Sequence, residues 1–234
     1  MAHHPEIITV SEAWRSTYPE AHLGILALRG VANPPEPAAL SQRKAALEQA
    51  LRQRYSRADR STLIQQPVLA AYAAYYKRFR KTYHIQLQLE SIVFKGKALP
   101  SGPALVEAMF MAELSDLLLT AGHDLGALAV PLRLDVARGD EAYVTLRGAP
   151  ETLKAGDMAI ADQRGVISSI IYGPDQRTQI TPSTVQVLFT TYAPAGVEAE
   201  AVAGHLQTLE DFVRLFSPEA EVIERRVVGG EDQG

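Results

Sequence analysis

The stretch from Leu153 to Pro194, LKAGDMAIADQRGVISSIIYGPDQRTQITPSTVQVLFTTYAP, constrains the fold more than any other part of the chain. Its Ile, Val, Thr, Tyr and Phe favour a pleated, half-buried backbone, so strands are expected at Met158–Ala161, Val166–Tyr172 and Val185–Tyr192. Between them, Gly156-Asp157, Gln163-Arg164-Gly165 and Gly173-Pro174-Asp175 supply the residues that tight turns need. Short strands joined this way must be covered by other elements. Their turns also deliver polar side chains to strand ends, where a cleft can use them.

The covering elements are readable in order. Leu23–Val31, LGILALRGV, is a buried strand. Leu40, Leu47, Leu51 and Tyr55 mark a helical stripe over Ala38–Tyr55, and a second helix starts near Pro67. In that second helix Leu69, Tyr72, Tyr76 and Phe79 share one face, suited to core packing or to stacking on nucleotide bases. Tyr83–Phe94 reads as a strand passing into a helical turn. After Ser101-Gly102-Pro103, a cap and first turn, a helix from Pro103 to Thr120 is apolar almost all round and therefore buried. Glu107 and Glu113 lie within it, and a buried carboxylate needs a partner or a task. Gly122 fits a left-handed C-terminal cap, with His123 projecting from the loop beyond.

Leu132–Ala137 and Ala142–Leu146 alternate as strands about a hairpin-like turn at Arg138-Gly139-Asp140. Val202, Leu206, Leu209, Val213 and Phe216 mark a closing amphipathic helix. The expected class is α+β, a mixed or antiparallel sheet flanked by helices. Residues 1–100 form the N-terminal helical portion of the domain, 101–228 its core and 229–234 a flexible tail.

A net charge of −4 argues against holding nucleic acid by bulk electrostatics, and DNA is not an expected partner. Local basic faces remain, at Arg43, Lys44, Arg52, Arg54, Arg57 and Arg60 and again at Lys77, Arg78, Arg80 and Lys81, as solvated helix faces or as contacts for an anion. No apolar run is long enough to span a bilayer, so no membrane partner is expected. The absence of cysteine removes disulfides, thiol catalysis and Cys-ligated zinc, and with no secretory signal the expected location is the cytoplasm. His3 and His4 and the His123-Asp124 pair lack the further ligands that a metal needs, so neither metal nor cofactor is expected.

No nucleophile elbow, P-loop, H-E-x-x-H or dinucleotide fingerprint is present. The candidate site is therefore a polar cleft without a named nucleophile. Arg177 suits a carboxylate or other anion because its guanidinium pairs in bidentate fashion. Tyr172 suits a ligand face, and Ser168, Ser169, Thr178 and Thr181 suit substrate or water positioning.

The ordered segments PSGPALVEAMFMAELSDLLLTAGHDL, LRLDVARGDEAYVTLRG, LKAGDMAIAD and GVISSIIYGPDQRTQITPSTVQVLFTTYAP resemble the B3/B4 domain of the phenylalanyl-tRNA synthetase beta subunit, and more closely its stand-alone bacterial relatives. The resemblance covers about Phe94–Phe216. It implies a B3/B4-like fold that binds the 3′ end of misacylated tRNA and hydrolyses tyrosine from it. A positioned water does the chemistry and a buried carboxylate selects the tyrosine hydroxyl. By position His123 and Asp124 fall on the family's histidine segment. The candidate catalytic set is His123, Glu107 and Glu113, and the candidate substrate-binding set is Asp124, Ser168, Ser169, Tyr172, Arg177, Thr178 and Thr181. The implied partners are tRNA or its aminoacylated 3′ end and an aromatic amino acid. The alternative is a non-catalytic amino-acid or small-molecule binding protein on the same fold.

Overall fold

The computed structural model describes residues 6–229, with an α+β architecture built on two sheets. The first is centred on β2 (His22–Arg29), whose sequence HLGILALR is apolar enough to be covered on both faces, and Leu23 to Leu28 are all buried. β10 (Gln186–Ala193) runs antiparallel beside it, from Gln186 opposite Arg29 to Ala193 opposite His22. β3 (Leu119–Asp124) pairs antiparallel with the far side of β10, and β11 (Glu221–Gly229) with the far side of β2, giving the order β11-β2-β10-β3.

The second sheet takes β1 (Ile8–Val10), β4 (Leu132–Val136), β7 (Met158–Asp162), β8 (Gly165–Ser169) and β9 (Gly173–Pro174) in that order. Its β1–β4 pair is parallel and the others antiparallel, which makes the sheet mixed. A small hairpin joins β5 (Ala142–Val144) and β6 (Pro150–Thr152).

Seven helices accompany these strands among the described residues: α1 (Glu12–Thr17), α2 (Ala38–Arg54), α3 (Arg60–Leu63), α4 (Pro67–Lys77), α5 (His84–Lys95), α6 (Ala104–Asp116) and α7 (Ala199–Arg214). α7 lies on one face of the four-stranded sheet, so closely that a Cβ on Gly24 of β2 would stand 2.7 Å from Val202. On the other face Tyr192 of β10 reaches Ser168 of β8, its hydroxyl 2.6 Å from the serine oxygen. No described helix is long and apolar enough to cross a membrane.

Leu69, Tyr72, Tyr76 and Phe79 are all buried, and this stripe packs into the core. Tyr72 also stitches the sheet. Its hydroxyl donates to the Tyr192 carbonyl and accepts the Leu119 N–H at 2.9 Å, closing the end of the β3–β10 ladder. Asn33 has an equivalent role at the start of α6, which lacks a side-chain cap of its own: Asn33 Oδ1 accepts the Leu105 N–H at 2.9 Å while its amide donates to the Thr181 carbonyl. Ser101, expected to cap this helix, accepts instead from Lys44 Nζ at 2.8 Å.

Several expectations are corrected. Tyr83–Phe94 is not a strand: Ile85, Leu89 and Ile92, at helical spacing, are buried, while Leu87, which completed the alternating pattern, is 43% exposed. The helix expected to reach Thr120 stops at Asp116, because Leu117 adopts φ 64° and returns its N–H to the Glu113 carbonyl. A leucine here occupies the position that glycine usually takes, and the apolar run after it is strand. Gly122 is thus no cap, and His123 sits within β3 rather than on a loop.

Arg138-Gly139-Asp140 does not turn β4 into β5, since β4 pairs with β1 and β7 and β5 with β6. β8 ends at Ser169, short of Tyr172. α7 does not close the chain either: β11 follows it, and Gly229 pairs with His22 instead of starting a tail. The N-terminal hundred residues are not solely helical, since β1 and β2 lie in the two sheets. His3, His4 and 230–234 lie outside the described residues.

Tyr72→Phe keeps the ring stacked on Tyr83, at 4.2 Å between centroids, but leaves a buried N–H and a buried carbonyl unpaired. It should lower stability by about 1–3 kcal/mol, read as a shift in the urea unfolding midpoint at unchanged slope.

Candidate functional site

β3 is an edge strand, and its open side is the wall of a cavity. The N–H groups of Thr120 and Asp124 point away from β10: the first donates to Glu113 Oε1 at 2.9 Å, the second to the Thr178 carbonyl at 2.8 Å. By the alternation of an antiparallel ladder, Gly122 between them turns its backbone the same way. The cavity along this edge measures about 320 Å³, within the range of small-ligand pockets. Leu119 to Gly122 line one side, and Val106, Met109, Phe110 and Glu113 of α6 another. Ser169, Gly173, Pro174 and Ile180 contribute a third, and His84 and Gln88 belong to α5. Most of this wall is apolar.

Its polar exceptions carry the chemistry. Glu113 is 1% exposed, has no cation beside it, and keeps Oε2 without a partner among the described residues. Burial raises its pKa to about 8, against the Thr120 N–H, which acts to lower it. At neutral pH it is therefore a neutral acid, one oxygen accepting from Thr120 and the other buried without a partner behind the cavity wall. Gln88 Oε1 is likewise buried and unpartnered.

Elsewhere in the cavity lining, the Ser169 hydroxyl accepts the Tyr172 N–H at 3.2 Å and also interacts with Asp157, a fully buried carboxylate. Burial raises the Asp157 pKa to about 6, with the hydroxyls of Tyr75 and Ser169 and the Ile171 and Met158 backbone acting against it. Gln88 and Asp157 are not among the expected site residues. Nothing local marks Gln88, and Asp157 lies in the turn motif Gly156-Asp157, where a capping role is the plainer reading.

The other expected residues do not line the cavity. His123 is fully buried, with Nδ1 2.7 Å from Thr178 Oγ1 and Nε2 without a partner. Burial, then the nearby Arg177 charge, hold its pKa down to about 3, so it is a neutral imidazole at physiological pH. Thr178 donates in turn to Asp175. Arg177 makes a bidentate pair with Asp162 at 2.8 and 3.0 Å and lies 3.4 Å from Asp175. It is occupied by its own chain's carboxylates, as a structural salt bridge.

Asp124 accepts from the Gly126 N–H and from Thr184 Oγ1, closing a turn. Thr181 belongs to the same turn through Thr184. Glu107 is 2% exposed and pairs with Lys44 at 3.1 Å, away from the cavity, and Ser168 is bonded to Tyr192. Tyr172 lies in a shallower hollow that adjoins the cavity, under Lys81 Nζ at 5.4 Å from its ring. Of the expected set, the cavity thus takes Glu113 and Ser169.

The described residues hold no cluster of three or more His, Cys, Asp or Glu side chains placed for a metal ion. No family model and no curated protein matches the chain. Among solved structures it is similar to an N-terminal fragment of the phenylalanyl-tRNA synthetase beta subunit from Pyrococcus horikoshii, at 12% identity and a TM-score of 0.47. The match covers 94% of this chain and 49% of that one, so the chain spans about half its length.

The raised pKa of Glu113 has a sign that can be tested. The unfolded carboxyl ionises near its ordinary value of 4.5 and the folded one near 8, so its stabilising effect is complete below 4.5 and is lost as pH rises towards 8. The thermal midpoint of the wild type should fall across this window. Glu113→Gln, which keeps the shape and cannot ionise, should flatten the profile. At pH 8.5 it should be the more stable protein by a few kcal/mol, since each pH unit between the folded and unfolded values is worth about 1.4 kcal/mol.

Proposed function

We propose that the cavity receives the side chain of an aromatic amino acid carried as an ester on the 3′ end of a tRNA, and that the protein is a stand-alone B3/B4-like module that recognises this group. The observation that carries the reading is Glu113: a neutral carboxylic acid at the wall of an apolar cavity, with one oxygen unpartnered. A phenolic hydroxyl is the complement of such a group, since it donates and accepts while its ring fills apolar space. The ordered sequence segments that resemble the editing domain support the same assignment. Discrimination against phenylalanine then rests on the acid that its ring would leave unpaired.

Hydrolysis in this reading falls to a water held at Ser169, with Asp157 behind it. A carboxylate whose pKa lies near 6 is mostly ionised at neutral pH yet still basic enough to accept a proton. His123 has no part in it, because it is neutral, buried and engaged with Thr178. That placement of His123 also favours a second reading, in which the cavity binds the free aromatic amino acid without chemistry.

Release of amino acid from labelled aminoacyl-tRNAs separates the two. The expected result is hydrolysis of tyrosine from phenylalanine-specific tRNA above the spontaneous rate, reduced at least about tenfold in Ser169→Ala, and indifferent to a conservative change at His123. Thermal stabilisation by L-tyrosine but no hydrolysis leaves the binding protein. The cavity reading itself fails if L-tyrosine stabilises neither wild type nor Ser169→Ala. In Glu113→Ala, the preference for tyrosine over phenylalanine should shrink by at least about tenfold.

A further inference from the structure

A basic basin shares no lining residue with the cavity. Arg78, Arg80, Arg138 and Lys154 line a hollow of about 620 Å³ whose remaining lining is Phe79, Gly139, Leu153 and Ala155, with no acid among them. Arg138 has Asp140 at 3.3 Å and Glu141 at 3.5 Å. Among the described residues no carboxylate pairs with Arg78, Arg80 or Lys154, although the chain carries 27 acidic residues against 23 basic ones. Cations left together without counter-charge in an acidic protein are a site for an anion from outside.

The basin is also built. The Arg78 guanidinium stands 5.4, 5.3 and 5.4 Å from the ring centroids of Tyr18, Tyr75 and Phe79, and donates to the Tyr18 hydroxyl at 3.1 Å, so its fork is oriented before any ligand arrives. Gly139 packs onto Ala155, where a Cβ would meet that residue at 3.1 Å, and this joins the loop of Arg138 to that of Lys154. Arg80 takes φ 57°, a left-handed conformation that residues with side chains rarely adopt. The turn that results places Arg80 in the basin and Lys81 in the next hollow, of about 480 Å³, with Arg147 and Tyr172. That second hollow shares His84, Gln88, Leu146, Gly173 and Pro174 with the cavity.

We propose that the basin binds phosphodiester groups of an RNA strand whose 3′ end enters the cavity through the Lys81–Arg147 hollow. A single carboxylate would occupy one guanidinium; a row of cations without partners matches a repeating anion. The inference rests on the reading of the cavity for its direction, and on the basin alone for its chemistry.

The test is fluorescence anisotropy of a short labelled single-stranded RNA as a function of salt, with wild type and with the triple variant Arg80→Gln/Arg138→Gln/Lys154→Gln. Arg78 is left in place because it packs on three rings. The wild type should bind with a salt slope that drops by about 2 in the variant, at roughly 0.7 per lost phosphate contact, and affinity at low salt should fall at least about tenfold. The thermal midpoint and the stabilisation by L-tyrosine should be unchanged.

Equal affinity and slope in the two proteins would overturn the proposal, as would a wild type that binds inorganic pyrophosphate but not RNA. RNA binding that needs the basin, in a protein that L-tyrosine does not stabilise, would keep the basin and remove the reading of the cavity. Stabilisation by L-tyrosine without RNA binding would do the reverse.

Discussion

The bond from the Thr120 N–H to the Glu113 carboxyl is the point on which the site depends. A sheet edge that faces an apolar cavity leaves backbone groups to be satisfied, and an unpaired buried N–H costs about as much as a lost hydrogen bond. Here the last turn of α6 supplies the acceptor, because Leu117 reverses the chain immediately after it and lays β3 back beside the helix that precedes it. The carboxyl is thereby fixed where no cation reaches it. Its neutrality follows from the same placement, and so does the oxygen that is left without a partner.

The polar groups of this protein divide into two sets by how they are satisfied. Asp175, Thr178, His123, Arg177 and Asp162 bond to one another, with His123 Nε2 left without a partner among the described residues, and lock the segment after β9 against β3. Asp162 shows the balance: burial acts to raise its pKa, but Arg177 and two backbone N–H groups outweigh it and hold the carboxyl below its usual range. Glu113 and Asp157 have no such cation, and burial moves both upward. Of the two sets it is the second that meets the cavity, through Glu113.

The strands of the Leu153–Pro194 stretch are legible in the sequence because β-branched runs and turn residues agree there. β2 is legible from its unbroken apolar run, and α2 and α4 from their periodicity. What is not legible has physical causes. Leu117 and Leu118 continue an apolar run whether the backbone is helix or strand, so the change of element after Asp116 leaves no trace in composition. β11, EVIERRVVG, carries four charges, at Glu221 and Glu224 to Arg226, and buries only Val228, so it resembles a solvated tail until its ladder to β2 is seen. The burial of Glu113 follows from the all-apolar helix around it, whereas the occupation of Arg177 by Asp162 depends on strands brought together only by the fold. Type and spacing give Arg177 the look of a ligand contact, and its neighbours decide otherwise.

β2 lies between its two partners in space but precedes both in the chain: Arg29 and Glu221, which face each other across the sheet, are 192 positions apart. Ile7 and Ile8 are held by Glu224 and Arg226 over still longer separations. On a ribosome, this apolar strand is therefore made before both its partners and waits unpaired until more than a hundred and fifty further residues have followed, as the register of Arg29 with Gln186 requires. Contacts of such separation make folding slow and leave an exposed sticky edge meanwhile. The helices α2 to α6, which are made in that interval and need only local contacts to form, are what can shelter it.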